Sequence, residues 1–428
     1  MEDFITKIEG HGRLKADWKK NKVVLEVHEG ERLFEGIVVG RPAEEAAWIT
    51  ARICGVCPIA HTLCALKAVE GALEIEPDKK TVLLRRLLLD GQMIQSHALH
   101  LYFLALPDYI GVDSGLEIKT KHPKYFKAAL TLKEISDEIA KIVGGRSTHP
   151  TTTTVGGFHK VPTANQLKQM ERRLMKEALP AAKATAHLAM GLDYPDLETD
   201  LNLLSQVDLP TQAGEDWIYN VYGSSRSRCV GGASWPVEEY KEKIDEEIRT
   251  YSTAKFGFLR DKGKERPAMV GALARLAVQK EKLNPKAKQL LIQSGINFDN
   301  PFHNNLAQAI ELVHFVEEAI KLINEILPLN PKGLDSKPLG MKSLKSAKTG
   351  IGAIEAPRGG LYHEYTINEK EIIADGNIIT PTVQNLGSLE ITAQALADQT
   401  RGEEDERREK LIEMLIRAYD PCITCSVH

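Results

Sequence analysis

Apolar residues recur at helical spacing through most of the middle of this chain, and at strand spacing only near its two ends. At the front, Val23–Val27 is β-branched and apolar and follows a Lys19-Lys20-Asn21-Lys22 turn; Leu33–Val39 is similar, so residues 1–40 read as strands. Pro42 followed by Glu44 and Glu45 marks a helix start that runs towards Cys54, with a break at Gly55. The spacing predicts a helix from Pro58 to about Leu73 and a long one over 78–106 that is apolar on most faces, a central strut. Further helices are predicted over 124–143, 164–190, 236–252, 267–281 and 304–326. Gly144-Gly145, Gly156-Gly157 and 223–232 read as loops, and 328–360, rich in Pro, Gly and Lys, as a longer irregular stretch. Leu361 to Ile379 reads as a hairpin around Asn368, and two last helices cover 388–399 and 404–418. The expectation is a mainly α chain with small β elements. It forms one domain over 1–428: a β-rich region 1–40, a helical bundle 42–326, the hairpin 361–379 and a C-terminal part 388–428.

Composition narrows the function classes. The chain has 428 residues, 43% of them hydrophobic, enough for a substantial core. A net charge of -4, with both signs scattered, argues against nucleic acid and anionic membranes as partners. His97 to Ile110, the most apolar run, is too short to span a bilayer and reads as buried helix, with His97 and His100 as core residues. Met1-Glu-Asp-Phe-Ile lacks the basic-then-apolar order of a signal peptide, and six cysteines form no dense disulfide framework, so a reducing, cytoplasmic setting is expected.

Two short stretches carry the chemistry: Arg52-Ile53-Cys54-Gly55-Val56-Cys57-Pro58-Ile59-Ala60-His61 and Asp420-Pro421-Cys422-Ile423-Thr424-Cys425-Ser426-Val427-His428. Each holds a Cys-x-x-Cys pair with a histidine a few residues on. Four thiolates form a soft donor set suited to zinc, iron–sulfur centres, Cu(I) or nickel. Zinc ribbons keep their pairs within tens of residues of each other, whereas here nearly the whole chain intervenes. A large fold must therefore carry its two ends to one metal site. Alone, either pair would equally suit a redox dithiol. Cys64, seven residues after Cys57 on the same helix, reads as a small buried hydrophobe.

These two segments resemble the signature motifs of the large, catalytic subunit of nickel–iron hydrogenases. The likeness extends to Lys7-Ile8-Glu9-Gly10-His11, Phe34-Glu35 with Gly40-Arg41, Ala356-Pro357-Arg358-Gly359 and Thr380-Pro381-Thr382. Cys-Gly-Val-Cys-Pro-Ile-Ala-His and Asn300-Pro-Phe-His-Asn-Asn305 are similar to the cytosolic branch that exchanges electrons with soluble carriers such as NAD(P). The resemblance implies that Cys54, Cys57, Cys422 and Cys425 bind nickel, and that Cys57 and Cys425 bridge to an iron carrying carbon monoxide and cyanide. It makes Cys422 the first proton acceptor and Glu9 the next relay. Arg358 would lie over the open side of the metals with Asp108 as its neighbouring acid. Pro357, Pro381 and Thr382 would line the site, the Thr382 hydroxyl donating to a cyanide, and His61 would hydrogen-bond a bridging sulfur. Glu35, the Ile378 carbonyl and His428 would share a magnesium ion. Family members are matured by removing a C-terminal extension, and an end at His428 matches the mature form. Two departures stand out: Lys7 where arginine is usual, and Val383-Gln384 in place of Thr-Trp before Asn385.

Once four cysteines are assigned, Cys64 and Cys229 are too few for an iron–sulfur cluster in this chain. Electrons from dihydrogen then need a cluster-bearing small subunit, with flavin- and NAD(P)-binding subunits beyond it. Two other readings compete: a non-catalytic scaffold like the related quinone-binding respiratory-complex subunit, which has lost the thiolates, and a dithiol oxidoreductase using Cys54 and Cys57. The second leaves Arg358 and His428 unexplained.

Overall fold

The helix Pro58–Leu73 begins at Cys57 and is buried along almost its whole length. It lies on an antiparallel sheet of three strands, Lys348–Ala356, Gly359–Ile367 and Ile373–Ile379. Contact is backbone to backbone: a Cβ on Gly350 would sit 2.0 Å from the Ala68 carbonyl oxygen, and one on Gly352 would sit 2.1 Å from that of Cys64. These glycines are what let helix and sheet meet. The first two strands join through Pro357-Arg358 alone, so Arg358 stands at the tip of a two-residue hairpin.

In this computed structural model residues 2–208, 219–261, 264–329 and 344–428 are described. Around the sheet stand long helices. Lys79–Leu99 continues through a π-helical stretch, His100–Ala105, into Leu106–Ile110. Its start is capped by the Asp78 carboxylate, which accepts from the Thr81 N–H. It packs against Pro123–Gly144 and Asn304–Ile326, and the latter also against Leu179–Met190. Leu83, Leu84, Leu87, Leu88, Met93 and Ile94 are all buried in these seams, each contributing roughly 1.5–3 kcal/mol by leaving water. A single apolar cluster runs from Ile5 to Val427 and includes all four motif cysteines. It is this shared core that draws head and tail together. Among the described residues no helix is long and apolar enough to cross a membrane.

The predicted helices over 58–73, 78–106, 124–143, 164–190 and 304–326 are present. Other expectations are corrected. Leu33–Val39 is no strand: Phe34–Val38 is one helical turn that buries Phe34 and Val38, four apart, against the core. From Pro42 the chain forms a 3-10 turn, Ala43–Glu45, then Ala46–Thr50 and a second 3-10 turn, Ala51–Ile53, ending at Cys54. Over 236–252 only Tyr240–Lys243 is α-helical, and Ile244–Glu247 is a strand paired with Phe256–Asp261. The spacing of Val237, Tyr240, Ile244 and Ile248 imitates a helix face, yet Ile248 is 83% exposed and never joins the core. The 223–232 loop contains the strand Arg226–Cys229, paired with Asn202–Val207 and Ser234–Pro236. In the expected irregular stretch 328–360, Lys348–Ala356 is the first strand of the three-stranded sheet, while 330–343 falls outside the described residues. The 267–281 helix is Ala272–Gln279 with a 3-10 turn after it, and the helix expected at 388 already starts at Pro381.

Candidate metal centre

Cys54 ends the 3-10 turn in an extended conformation, and Cys57 opens the Pro58–Leu73 helix. The backbone N–H groups of Val56 and Cys57 point at the Cys54 sulfur, 3.2 and 3.4 Å away, a helix-start environment that favours thiolate. Cys422 precedes the short turn Ile423–Ser426 and Cys425 lies within it, and the Cys422 N–H donates to Thr382 Oγ1 at 3.0 Å. The four sulfurs are buried and lie within 4.8 Å of one another. Cys54 and Cys422 Sγ are 3.3 Å apart, Cys57 and Cys425 3.2 Å, Cys422 and Cys425 2.9 Å, and all four are free thiols.

This donor set suits a soft metal centre. Thiol hydrogen bonds from Cys422, Cys425 and Cys57 hold Cys54 far below the ordinary thiol range. Burial drives Cys422 and Cys425 far above it. Four such thiols ionise together only against a multiply charged cation. His61, Pro357, Arg358, Pro381 and Thr382 line one cavity with Cys57, Cys422 and Cys425.

Around the sulfurs the polar contacts are specific. Arg358 Nε and Nη2 fork onto Asp420, at 2.7 Å to its carbonyl and 2.8 Å to its carboxylate. Arg358 Nη1 is buried without a hydrogen-bond partner among the described residues; burial would weaken the cation, but the adjacent Asp420 carboxylate outweighs it. The expected acid, Asp108, binds elsewhere: it pairs with Lys7 at 2.6 Å and Arg417 at 2.6 Å. The carboxylate that holds Arg358 is Asp420, because Asp420 turns through a left-handed conformation (φ 51°) just before Pro421.

Glu9 runs parallel to the second motif. Its carbonyl accepts from the Ile423 N–H at 3.0 Å and its carboxylate from the Thr424 N–H at 3.1 Å. Burial, then the Cys54 charge, raises the Glu9 carboxyl above its usual range. Next to it, Gly10 at φ 84° has no room for a Cβ, which would meet Ile423 at 2.7 Å.

His61 Nε2 lies 3.7 Å from the Cys425 sulfur, and burial holds its imidazole neutral, down to about 3. His61 Nδ1 contacts His363 Nε2 at 3.1 Å, and His363 Nδ1 contacts the Tyr365 hydroxyl at 2.6 Å. With both rings neutral, a thiolate at Cys425, which can only accept, selects the tautomers whose donors all point towards the sulfur. A second cluster lies at the sheet's far strand. Glu35 accepts from the Ile378 N–H at 2.7 Å, and His428 Nε2 lies 2.7 Å from the Ile378 carbonyl.

The reading of the sequence missed Arg32, Asp420's grip on Arg358, His363 and Tyr365. Arg32 is the most telling. Its Nη2 donates to the carbonyls of Ile53, at 2.6 Å, and Thr424, and so ties the two cysteine motifs together. Nothing in its sequence setting marks it. Arg32→Met is expected to weaken nickel retention about 10–100-fold, the usual scale for a residue that orients ligands. Nickel left per chain after chelator challenge, with helix content unchanged by circular dichroism, measures it.

The chain matches the nickel-dependent hydrogenase family over residues 32–127 and 196–428. It is 37% identical over 432 residues to sulfhydrogenase 1 subunit alpha of Pyrococcus furiosus, covering 100% of this chain and 97% of that protein. To the NAD-reducing hydrogenase HoxS subunit beta of Cupriavidus necator it is 28% identical over 467 residues, covering 100% and 94%. The fold matches the crystal structure of an NAD+-reducing [NiFe]-hydrogenase in the H2-reduced state with a TM-score of 0.85 at 24% identity, covering 100% of this chain and 98% of that one. This chain belongs to the nickel-dependent hydrogenase family. It is a catalytic [NiFe]-hydrogenase subunit, and the four-cysteine group is the place of its nickel–iron centre.

Proposed function

We propose that this subunit performs H2 ⇌ 2H+ + 2e− as one domain at the junction of its two ends, and passes the electrons through an iron–sulfur small subunit to a soluble carrier such as NAD(P). The carrying observation is that four buried sulfurs from opposite ends of the chain lie within 4.8 Å of one another. Cys54, Cys57, Cys422 and Cys425 would hold the nickel, and Cys57 and Cys425 would also serve an iron that would carry carbon monoxide and cyanide. When bound, the metal pair supplies the Lewis-acid and redox chemistry that parts dihydrogen into a proton and an electron pair.

The residues manage the proton and the field. The Cys422 sulfur takes the proton and hands it to Glu9, whose desolvated carboxyl suits that task. Arg358 offers the donors of Nη1 above the sulfurs while Asp420 fixes the rest of its fork. Thr382 accepts from the Cys422 N–H, which leaves its own O–H to donate to a cyanide. The His61 Nε2–H donates to the Cys425 sulfur and tempers its charge. Asp108 braces Arg417 and Lys7 at the helix end and supports the site from a distance. Glu35, the Ile378 carbonyl and His428 would hold magnesium, since a carboxylate, a carbonyl and an imidazole gathered in one place suit a hard cation.

Cys64 is used up in packing, its thiol donating to the carbonyls of Gly352 and Leu361, which supports an electron exit through another chain. The names of the relatives, sulfhydrogenase subunit alpha and NAD-reducing hydrogenase subunit beta, favour a multi-subunit assembly with an NAD(P)-binding part, to which the proposal adds a flavin-binding subunit and a cytoplasmic setting. The test is native anaerobic purification, metal analysis and H2-dependent NAD(P) reduction. Nickel and iron near one each per chain, with infrared bands of iron-bound diatomics, are expected. Zinc alone, with no such bands, would end the reading.

A further inference from the structure

We propose that Arg275 is a positioning residue for Arg358, and that it sets the reach of that guanidinium into the metal cavity by clamping the hairpin tip that carries it. The proposal rests on the role given above to Arg358. Arg275 projects from the helix Ala272–Gln279 and is fully buried. All five of its N–H donors are used. Nε and Nη2 fork onto the Glu311 carboxylate, both at 2.7 Å. Nη1 reaches the Glu355 carboxylate and the Ala356 carbonyl, both at 3.0 Å, and Nη2 also reaches the Pro357 carbonyl at 2.9 Å. Glu355, Ala356 and Pro357 are the three residues that lead into Arg358.

The clamp is itself anchored. Glu311, on the helix Asn304–Ile326, also accepts from His97 at 2.8 Å and from the Tyr219 hydroxyl. Burial would raise the Glu311 carboxyl, but the adjacent Arg275 outweighs it and keeps the carboxylate charged. Glu355 accepts from the Gln206 N–H at 2.6 Å. On the other side of the turn, Gly271 (φ 117°) packs so closely that a Cβ there would lie 3.2 Å from the Arg358 carbonyl oxygen.

Geometry explains why such an anchor is needed. Asp420 fixes the far end of the Arg358 side chain, whereas the turn beneath it continues into Gly359 and Gly360, which have no side chains of their own to hold the tip. Buried charge clusters are seldom retained for stability alone, since an apolar replacement of equal volume does as well or better. A guanidinium whose five donors meet one carboxylate fork, a second carboxylate and two consecutive carbonyls fixes a direction in space. Lysine, with three donors and no plane, does not.

The experiment uses the native complex with Arg275→Lys, Arg358→Lys and the double variant, and Glu355→Gln as a second route to the same clamp. Nickel per chain, the thermal midpoint, kcat and KM for dihydrogen and the nickel electron-spin-resonance spectrum are measured on each. With nickel content unchanged, Arg275→Lys is expected to lower kcat about 10–100-fold, the cost of a misplaced catalytic group, with KM within about twofold. Its nickel signal should shift in the same sense as that of Arg358→Lys. In the Arg358→Lys background the Arg275 change should cost nothing further, because both act through one guanidinium. The proposal is overturned if the two losses multiply, or if kcat per nickel in both Arg275→Lys and Glu355→Gln stays within about twofold of the parent. A parent-like kcat in Arg358→Lys alone would instead overturn the role of Arg358.

Discussion

Cys425→Ser should abolish nickel retention and hydrogen turnover together. The Cys425 sulfur stands 3.2 Å from that of Cys57 and 2.9 Å from that of Cys422, and it is also the atom that faces His61. Serine places a hard oxygen on a shorter bond. A buried alkoxide is far harder to form than a thiolate, so the centre loses one of its four sulfur donors. The control is Cys64→Ser, about two turns along the core helix from Cys57. Cys64 is just as buried, but its thiol donates to two carbonyls that a hydroxyl can also satisfy. That variant should keep its nickel and lose on the order of 1 kcal/mol of stability. Metal analysis and dihydrogen uptake on the two purified complexes decide the matter. Full nickel in Cys425→Ser would contradict the shared grip of the two chain ends.

The same pair of cysteines shows what a sequence makes legible. Long helices can be read because their apolar faces repeat over many turns: the Lys79–Leu99 strut and Asn304–Ile326 are packed on so many sides that the pattern survives every local interruption. The four ligands can be read because metal chemistry restricts spacing and residue type. The strand Lys348–Ala356 could not be read, since Gly350 and Gly352 look like breakers until the helix backbone they touch is in place. Leu33–Val39 failed for a related reason. Five residues cannot show a period of 3.6, and a β-branched composition spoke for a strand although the core takes only Phe34 and Val38.

Side-chain partners were harder still. Both Asp108 and Asp420 were visible as acids near motif residues, but only the turn at Asp420 decides which of them meets Arg358. Arg32 carries no local mark because its role is to span two segments that become neighbours only on folding. Pairings across the fold are set by tertiary geometry, and a motif names the residue without naming its partner.

Glu9→Gln separates holding the metals from moving the proton. Glutamine keeps the volume of Glu9 and an oxygen for the Thr424 N–H, and the backbone bond from Ile423 to the residue 9 carbonyl is untouched. The second cysteine motif should therefore stay in place, with nickel and iron at parental levels. What the amide loses is a site that binds and releases a proton at working pH. Turnover in both directions should fall about 10²–10⁴-fold, the range for losing a positioned acid–base group. Exchange between D2 and solvent protons should fall with it, since that exchange also needs the proton to leave the Cys422 sulfur. Glu9→Asp makes the complementary case: it can titrate, but one carbon shorter it cannot keep both its reach to Thr424 and its place beside Cys422, so its loss should be smaller than that of Glu9→Gln. Parental isotope exchange in a fully metallated Glu9→Gln complex would move the proton route to another residue. If exchange and turnover are lost while the metals remain, the proton leaves through the Glu9 carboxyl, which the second cysteine motif holds by the Thr424 N–H.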